Sequence, residues 1–177
     1  MLDPALFRLL YGWLHQAPWL QVMQWATHLG ATRFVLALAC GLLVESAIAR
    51  ARAKEGPPPL VASWLGIPAA AMLARCLKLL VKRPRPTLVY PELGLLPGRA
   101  DFSFPSGHAT LAFALATALS LRWPKGRYWW FGCAALVALS RVALGVHWPT
   151  DVVVGAVIGW GAVRAAAWAE QQVRGQR

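Results

Sequence analysis

Long apolar runs alternate with short polar interruptions along this chain, and most of the runs have the length of membrane-crossing helices. A helix needs about 20 apolar residues, within a range of about 17–25, to cross the hydrocarbon core. Five runs come within reach of that length: residues 31–49, 60–81, 106–121, 128–146 and 149–168. The first ends in Arg50, Arg52, Lys54 and Glu55, after which Gly56, Pro57, Pro58 and Pro59 break the chain. Residues 84–104, carrying Pro84, Pro86, Pro91 and Pro97, read as a loop. Arg122, Pro124, Lys125, Gly126 and Arg127 separate the third and fourth runs, and the tail beyond 168 is polar. Ahead of the first run, residues 4–16 are apolar but interrupted by Arg8, Gly12 and His15, which predicts an amphipathic helix lying in the membrane surface. Residues 18–29 either extend the next helix, form a short helix of their own or cross as a sixth span, with Gly30 as a joint. The expected fold is an all-α, polytopic membrane helical bundle: five to six transmembrane helices with an N-terminal amphipathic segment, forming one domain over residues 1–177.

Composition strengthens this reading. Apolar residues make up 58% of the chain and charged residues 14%, against about 45–50% and 25% in soluble domains. The net charge of +11 could serve nucleic acid, anionic lipid or an anionic substrate. The basic residues lie in gaps between apolar runs and not along one exposed face, so no nucleic acid is expected; anionic lipid and an anionic substrate account for them better. Cys40, Cys76 and Cys133 sit far apart inside apolar stretches with no metal-ligand spacing, and are expected to be small buried hydrophobes. No basic leader with a cleavage site opens the chain, so targeting is expected from the first hydrophobic helix.

Three polar clusters remain: Lys78 to Pro86, Pro105-Ser106-Gly107-His108, and Ser140-Arg141 with His147 and Asp151. Each borders an apolar run, where charge is costly and therefore suggests function. The second run ends at the first cluster, the third begins at the second, and the fourth and fifth meet at the last. Strict alternation puts all three on one side of the membrane. The other side carries Arg50, Arg52, Lys54, Arg122, Lys125, Arg127, Arg164, Arg174 and Arg177. The cluster side has nine basic residues as well, but several belong to the clusters themselves. Discounting those, the positive-inside rule predicts a site facing the periplasm or exterior.

The clusters contain the parts of a phosphate-handling site. Ser106 suits a helix N-cap, and the amides of such a helix end attract anions. Gly107 lets backbone approach an oxyanion, and His108 projects from the first turn. Alone, this cluster reads equally as a simple cap beside an incidental histidine. Pro149 suits a first helical position, with Asp151 in the first turn and His147 just before it. A carboxylate accepting from one imidazole nitrogen leaves the other free to attack. A helix-start aspartate is also common for capping reasons alone. Lys78, Arg85 and Arg141 can grip phosphate oxygens, whereas Lys82 and Arg83 read as flanking residues for lipid headgroups. Together the clusters supply a nucleophile, its orienting acid, a second histidine and cationic grips, a set suited to covalent phosphoryl transfer.

The three motifs resemble those of the type 2 phosphatidic acid phosphatase family, which is similar at its core to vanadium-dependent haloperoxidases. The pattern runs Lys78, six residues, Arg85-Pro86; Pro105-Ser106-Gly107-His108; then Ser140-Arg141, five residues, His147, three residues and Asp151. The resemblance covers residues 78–151. It implies that His147 attacks phosphorus to form a phosphohistidine, that Asp151 orients His147, and that His108 protonates the leaving oxygen and then activates water. It implies phosphate binding by Lys78, Arg85, Arg141, Ser106 and the Gly107 amide, with no metal ion or other cofactor. The expected activity is that of a lipid phosphate or pyrophosphate phosphatase in a bacterial inner membrane, resembling undecaprenyl pyrophosphate phosphatases. Phosphatidylglycerophosphate or a broader phosphatidic acid substrate is the near alternative. A haloperoxidase is disfavoured by the apolar spans, and a non-catalytic transporter or scaffold by the intact motifs.

Overall fold

The computed structural model describes residues 2–16, 18–52, 61–91 and 101–175. The expected break at residues 54–59, Arg177 and most of the proline-rich loop, including Glu92, Pro97 and Arg99, lie outside the described residues. Among the described residues the fold is all-helical. The elements are α1 (Leu2–Leu14), α2 (Trp19–Leu29), α3 (Thr32–Arg52), α4 (Val61–Val81), the single turn α5 (Pro86–Val89), α6 (Gly107–Arg122), a 3-10 turn (Pro124–Gly126), α7 (Arg127–Ala143) and α8 (Pro149–Gly175).

Local chemistry explains most of these boundaries. Ser106 caps α6 by accepting from the Ala109 amide, and Pro124 lies just beyond the end of that helix. Gly145 takes a positive φ of 68° just past α7, a conformation that terminates helices and favours glycine. Two boundaries depart from expectation. Pro86 starts a helical turn, α5, inside the predicted loop. The polar tail continues α8 to Gly175, because Ala165 to Ala167 and Glu170 to Gln172 are good helix formers.

Three stretches are long and apolar enough to cross a membrane by themselves: Thr32–Ala49, Ala62–Val89 and Pro149–Val173. The 16-residue α6 and 17-residue α7 reach only about 24–26 Å against a hydrocarbon core of about 30 Å. Length and composition therefore do not by themselves reach the expected five to six spans. The amphipathic α2 stands as a separate 11-residue helix, too short to be a sixth span.

Helix α6 sits centrally, between α4, α7 and α8. A core of Val35, Ala39, Trp64, Ile67, Leu111, Ala114 and Val163 joins α3, α4, α6 and α8. Large apolar residues such as Trp25, Leu80, Trp129 and Trp168 face outward, a surface that suits lipid rather than water. The three cysteines are exposed too, so they are not the buried hydrophobes expected. They occupy the outward faces of helices, where an apolar solvent makes burial in protein unnecessary.

Two glycines on α8 let it approach α6 closely. A Cβ on Gly155 would stand 2.6 Å from the Ser106 carbonyl oxygen, and one on Gly159 would stand 2.1 Å from that of Thr110. Small residues four apart are the usual device for such contacts between membrane helices. At the far end, Glu170 of α8 accepts from the Ala62 amide at 2.9 Å, satisfying one of the free N–H groups that open α4. These contacts fix α4, α6 and α8 relative to one another; α4 and α6 supply residues to one cavity, and α8 holds Asp151 buried behind it.

Candidate active site

The C-terminal ends of α4 and α7 and the N-terminal ends of α6 and α8 meet at one end of the bundle, around a cavity of about 680 Å3. Lys78, Arg85, Gly107, His108, Arg141 and His147 line it. The structure thus brings together most of the residues singled out by the sequence. Ser106 and Asp151 do not line the cavity. Both are fully buried behind it, and Ser106 is occupied as the α6 cap. The Ser106 amide donates to the Asp151 carbonyl at 2.9 Å, tying the second cluster to the third.

His147 lies between Asp151 and Arg85. Its Nδ1 faces Asp151 Oδ2 at 3.5 Å, the outer edge of hydrogen-bond reach. Its Nε2 lies 3.3 Å from Arg85 Nη1. A guanidinium only donates, so this contact requires a lone pair on Nε2 and assigns the proton to Nδ1. Arg85 is itself fixed by donating to the Val146 carbonyl at 2.6 Å. Burial pushes the His147 imidazole down to about 4, with the charges of Arg85 and Arg141 acting in the same direction and Asp151 opposing them. The nitrogen facing the cavity is therefore an unprotonated base at neutral pH.

That depressed pKa makes a stability prediction. The unfolded chain binds a proton at residue 147 below about pH 6.5, whereas the folded chain resists until about 4. The unfolded state then holds more protons in this window, so stability is complete above pH 6.5 and is lost as pH falls toward 4. The loss should be on the order of 3 kcal/mol. Thermal melts at pH 7 and pH 4 check this: the wild type should lose more stability than His147→Gln, and an equal loss in both would contradict it.

Arg83 corrects the sequence reading, which took it with Lys82 as a bystander. Its Nη1 donates to Asp151 Oδ1 at 2.9 Å and to Thr150 Oγ1 at 2.7 Å, and its Nη2 donates to Asp3 Oδ2 at 2.5 Å. The guanidinium also covers the Trp148 ring, 5.0 Å from its centroid. The Asp151 carboxylate takes a second bond from the Trp148 amide at 2.9 Å. A fully buried carboxylate needs such partners to stay charged. Lys82, by contrast, is exposed and turns the chain out of α4 with a positive φ of 50°.

Helix α1 reaches the same network. Asp3 accepts from the Thr150 amide at 3.1 Å and its hydroxyl at 2.6 Å, besides pairing with Arg83. Phe7 stacks on Tyr11 and Tyr90 and tilts against Trp148. The amphipathic helix therefore braces the segment that carries His147.

Asp101 was also missed. Its Oδ1 accepts from Arg85 Nη2 at 2.7 Å and Nε at 3.1 Å, and its Oδ2 accepts from Lys78 Nζ at 3.3 Å. Burial pushes this carboxyl up, but the bonds and charges of Arg85 and Lys78 outweigh it and hold it below the ordinary carboxylate range. From α2, Thr27 and His28 line the cavity, and Thr27 Oγ1 accepts a hydrogen bond from Arg141. A cue to two of these residues was available. The chain has only three aspartates, Asp3, Asp101 and Asp151, and each pairs with a site arginine or with Arg83. Among the described residues no group of histidine, cysteine and carboxylate side chains has the arrangement of a metal site.

The cavity offers cations for an anion's oxygens, the His147 imidazole at its edge, and His28 and His108 elsewhere in its lining. Comparison with known proteins agrees with that chemistry. Residues 59–174 match the model of the PAP2 superfamily. A lipid A 1-phosphatase from Rhizobium etli is 34% identical over 118 residues, 60% of this chain and 51% of that protein. An undecaprenyl-diphosphatase from Sulfolobus acidocaldarius is 41% identical over 93 residues, 51% of this chain and 45% of that protein. The match thus spans about half the length of these curated relatives. The crystal structure of Aquifex aeolicus LpxE superposes with a TM-score of 0.74 at 30% identity, covering 94% of both chains.

Proposed function

The chain belongs to the PAP2 superfamily, and from its cavity we propose that it is a membrane phosphatase removing the terminal phosphate of a lipid phosphate or pyrophosphate. The observation that carries this reading is the buried His147 imidazole at the wall of the cationic cavity, with Nδ1 toward Asp151 and Nε2 toward Arg85, whose guanidinium a phosphoryl oxygen would engage in its place. Lys78, Arg85 and Arg141 bind the phosphoryl oxygens, with the Gly107 amide beside them. Ser106 contributes by capping α6 and holding Gly107 in place. Nε2 of His147 attacks phosphorus, the bond to the lipid oxygen breaks, and His108 delivers a proton to that oxygen. His108 then takes a proton from water, which attacks the phosphohistidine and releases phosphate and His147. Fixed cations around the developing charge supply much of the rate.

Undecaprenyl pyrophosphate is the preferred substrate in this reading, supported by the similarity to an undecaprenyl-diphosphatase. Lipid A 1-phosphate is the second reading, favoured by the similarity to a lipid A 1-phosphatase. Purified protein given these two lipids, phosphatidylglycerophosphate and phosphatidic acid should release phosphate with chelator present. Catalytic efficiency then ranks them. No release from any, or a strict magnesium requirement, overturns the proposal.

The proposed topology has α3, α4, α6, α7 and α8 all crossing a bacterial inner membrane, with the cavity at the outer face. The support is that four of these helices deliver one end each to the cavity. A cysteine placed at Leu88, in the exposed part of α5, should react with an impermeant thiol reagent in intact cells. Labelling only after lysis reverses the orientation.

Arg83→Ala should reduce kcat by about 10–100-fold with KM little changed, because Arg83 holds Asp151 without lining the cavity. Arg83→Lys should recover part of the loss. Steady-state kinetics of both variants check this.

A further inference from the structure

Asp101 stands against the logic of the cavity. Lys78 and Arg85 are two of the cations proposed to hold the phosphate, yet a carboxylate from the chain itself already bonds both. Its three contacts, two from Arg85 and one from Lys78, occupy donors that a phosphoryl oxygen would use. Asp101 has a carboxylate about half exposed, at 47%, so the side chain has room to swing toward solvent while its main-chain carbonyl stays bonded to Arg85 Nε at 3.1 Å. Among the described residues it is also the one acidic side chain lining the cavity.

We propose that Asp101 is an internal competing anion: it closes the Lys78–Arg85 grip, so that only an anion held strongly enough by the two cations, such as a doubly charged terminal phosphate, displaces it at working concentration. The proposal rests on the phosphatase reading above. Bulk phospholipids of the bilayer carry phosphodiesters with a single negative charge. A terminal phosphate carries about 1.5 to 2 charges near neutrality. Exchanging a carboxylate for a diester leaves the charge on the grip unchanged, so the diester gains no electrostatic advantage. Exchanging it for a terminal phosphate adds negative charge where two cations await it. The carboxylate lowers the occupancy of every anion by one common factor, which leaves the weakly held diesters of the bilayer largely unbound while a tightly held terminal phosphate still binds. The cost is a weaker apparent affinity for every anion, in proportion to the fraction of time the grip is open.

The test uses the full chain in detergent micelles, with inorganic phosphate as probe and phosphatidylglycerol as the competing diester. Calorimetry should show Asp101→Asn and Asp101→Ala binding phosphate about tenfold more tightly than the wild type, as expected if the grip is open about a tenth of the time. Both variants should also be inhibited by phosphatidylglycerol at mole fractions about tenfold lower. Asp101→Glu should restore wild-type behaviour. Melting temperatures identify any variant that does not fold, and the remaining variants decide the matter. If phosphate binds the variants equally or more weakly, Asp101 organises the grip rather than competing for it, and the proposal fails. A wild type that neither binds phosphate nor hydrolyses any lipid sinks the phosphatase reading together with this one. A wild type that does both, with unchanged variants, sinks this one alone.

Discussion

His147→Ala is expected to reduce phosphate release by at least about 10^3-fold, because it deletes the proposed attacking atom itself. Among the described residues the cavity lining contains no serine or cysteine, and His108 arises from the first turn of α6 rather than from the Asp151 network. Rapid alkaline quench of the wild type with labelled substrate should trap phosphate on the protein in an acid-labile, base-stable form. His147→Ala should trap none. A variant that retains the label or the rate removes His147 from the mechanism. The fold should survive, since the adjacent Trp148 and Asp151 keep their own bonds to Pro84 and Arg83.

Gly159→Ala should have the second-largest effect although residue 159 lies far from the chemistry. Its added Cβ would stand 2.1 Å from the Thr110 carbonyl oxygen and 2.8 Å from the Ala114 amide nitrogen. Both are backbone atoms, so no side chain can rotate away and α6 and α8 must separate. Overpacking of this kind costs about 1–3 kcal/mol, and the gain from replacing a helical glycine is only about 0.5–1 kcal/mol. Stability should therefore fall, with a melting temperature several degrees lower. Moving α6 against α8 also shifts His108 relative to Asp151, and misplacement by about 1 Å can cost about 10^2-fold in rate. Gly161→Ala is the control. A Cβ there meets nothing within 4 Å, so that variant should be neutral or slightly stabilised. Equal melting temperatures for the two variants would falsify the close-contact argument.

The readable parts of this molecule were those governed by local rules. Apolar run length found the helices, and proline, glycine and a capping serine marked most of their ends. The clusters converge at one end of the bundle because each sits where one long helix ends or the next begins on the same side. What escaped the sequence depends on partners remote in the chain. Arg83 looked like a headgroup contact because neither Asp3, 80 residues before it, nor Asp151, 68 residues after it, bears any periodic relation to it. Asp101 was hidden inside a proline-rich stretch that reads only as a loop. The cysteines were misjudged because burial habits drawn from soluble proteins do not hold where the outer face meets lipid. The glycine pair at positions 155 and 159 was visible as spacing, but its partner helix was not.

One bond in the site separates two properties that mutagenesis usually confounds. Asp151 meets His147 through its carboxylate, but it holds the start of α6 through its main-chain carbonyl, which accepts from Ser106. Side-chain replacement at 151 leaves that main-chain tether in place. The two histidine-bearing segments should stay in register in Asp151→Asn, so a change in its kinetics reads the loss of the carboxylate's charge on His147 and Arg83 while the tether between α6 and α8 is held constant.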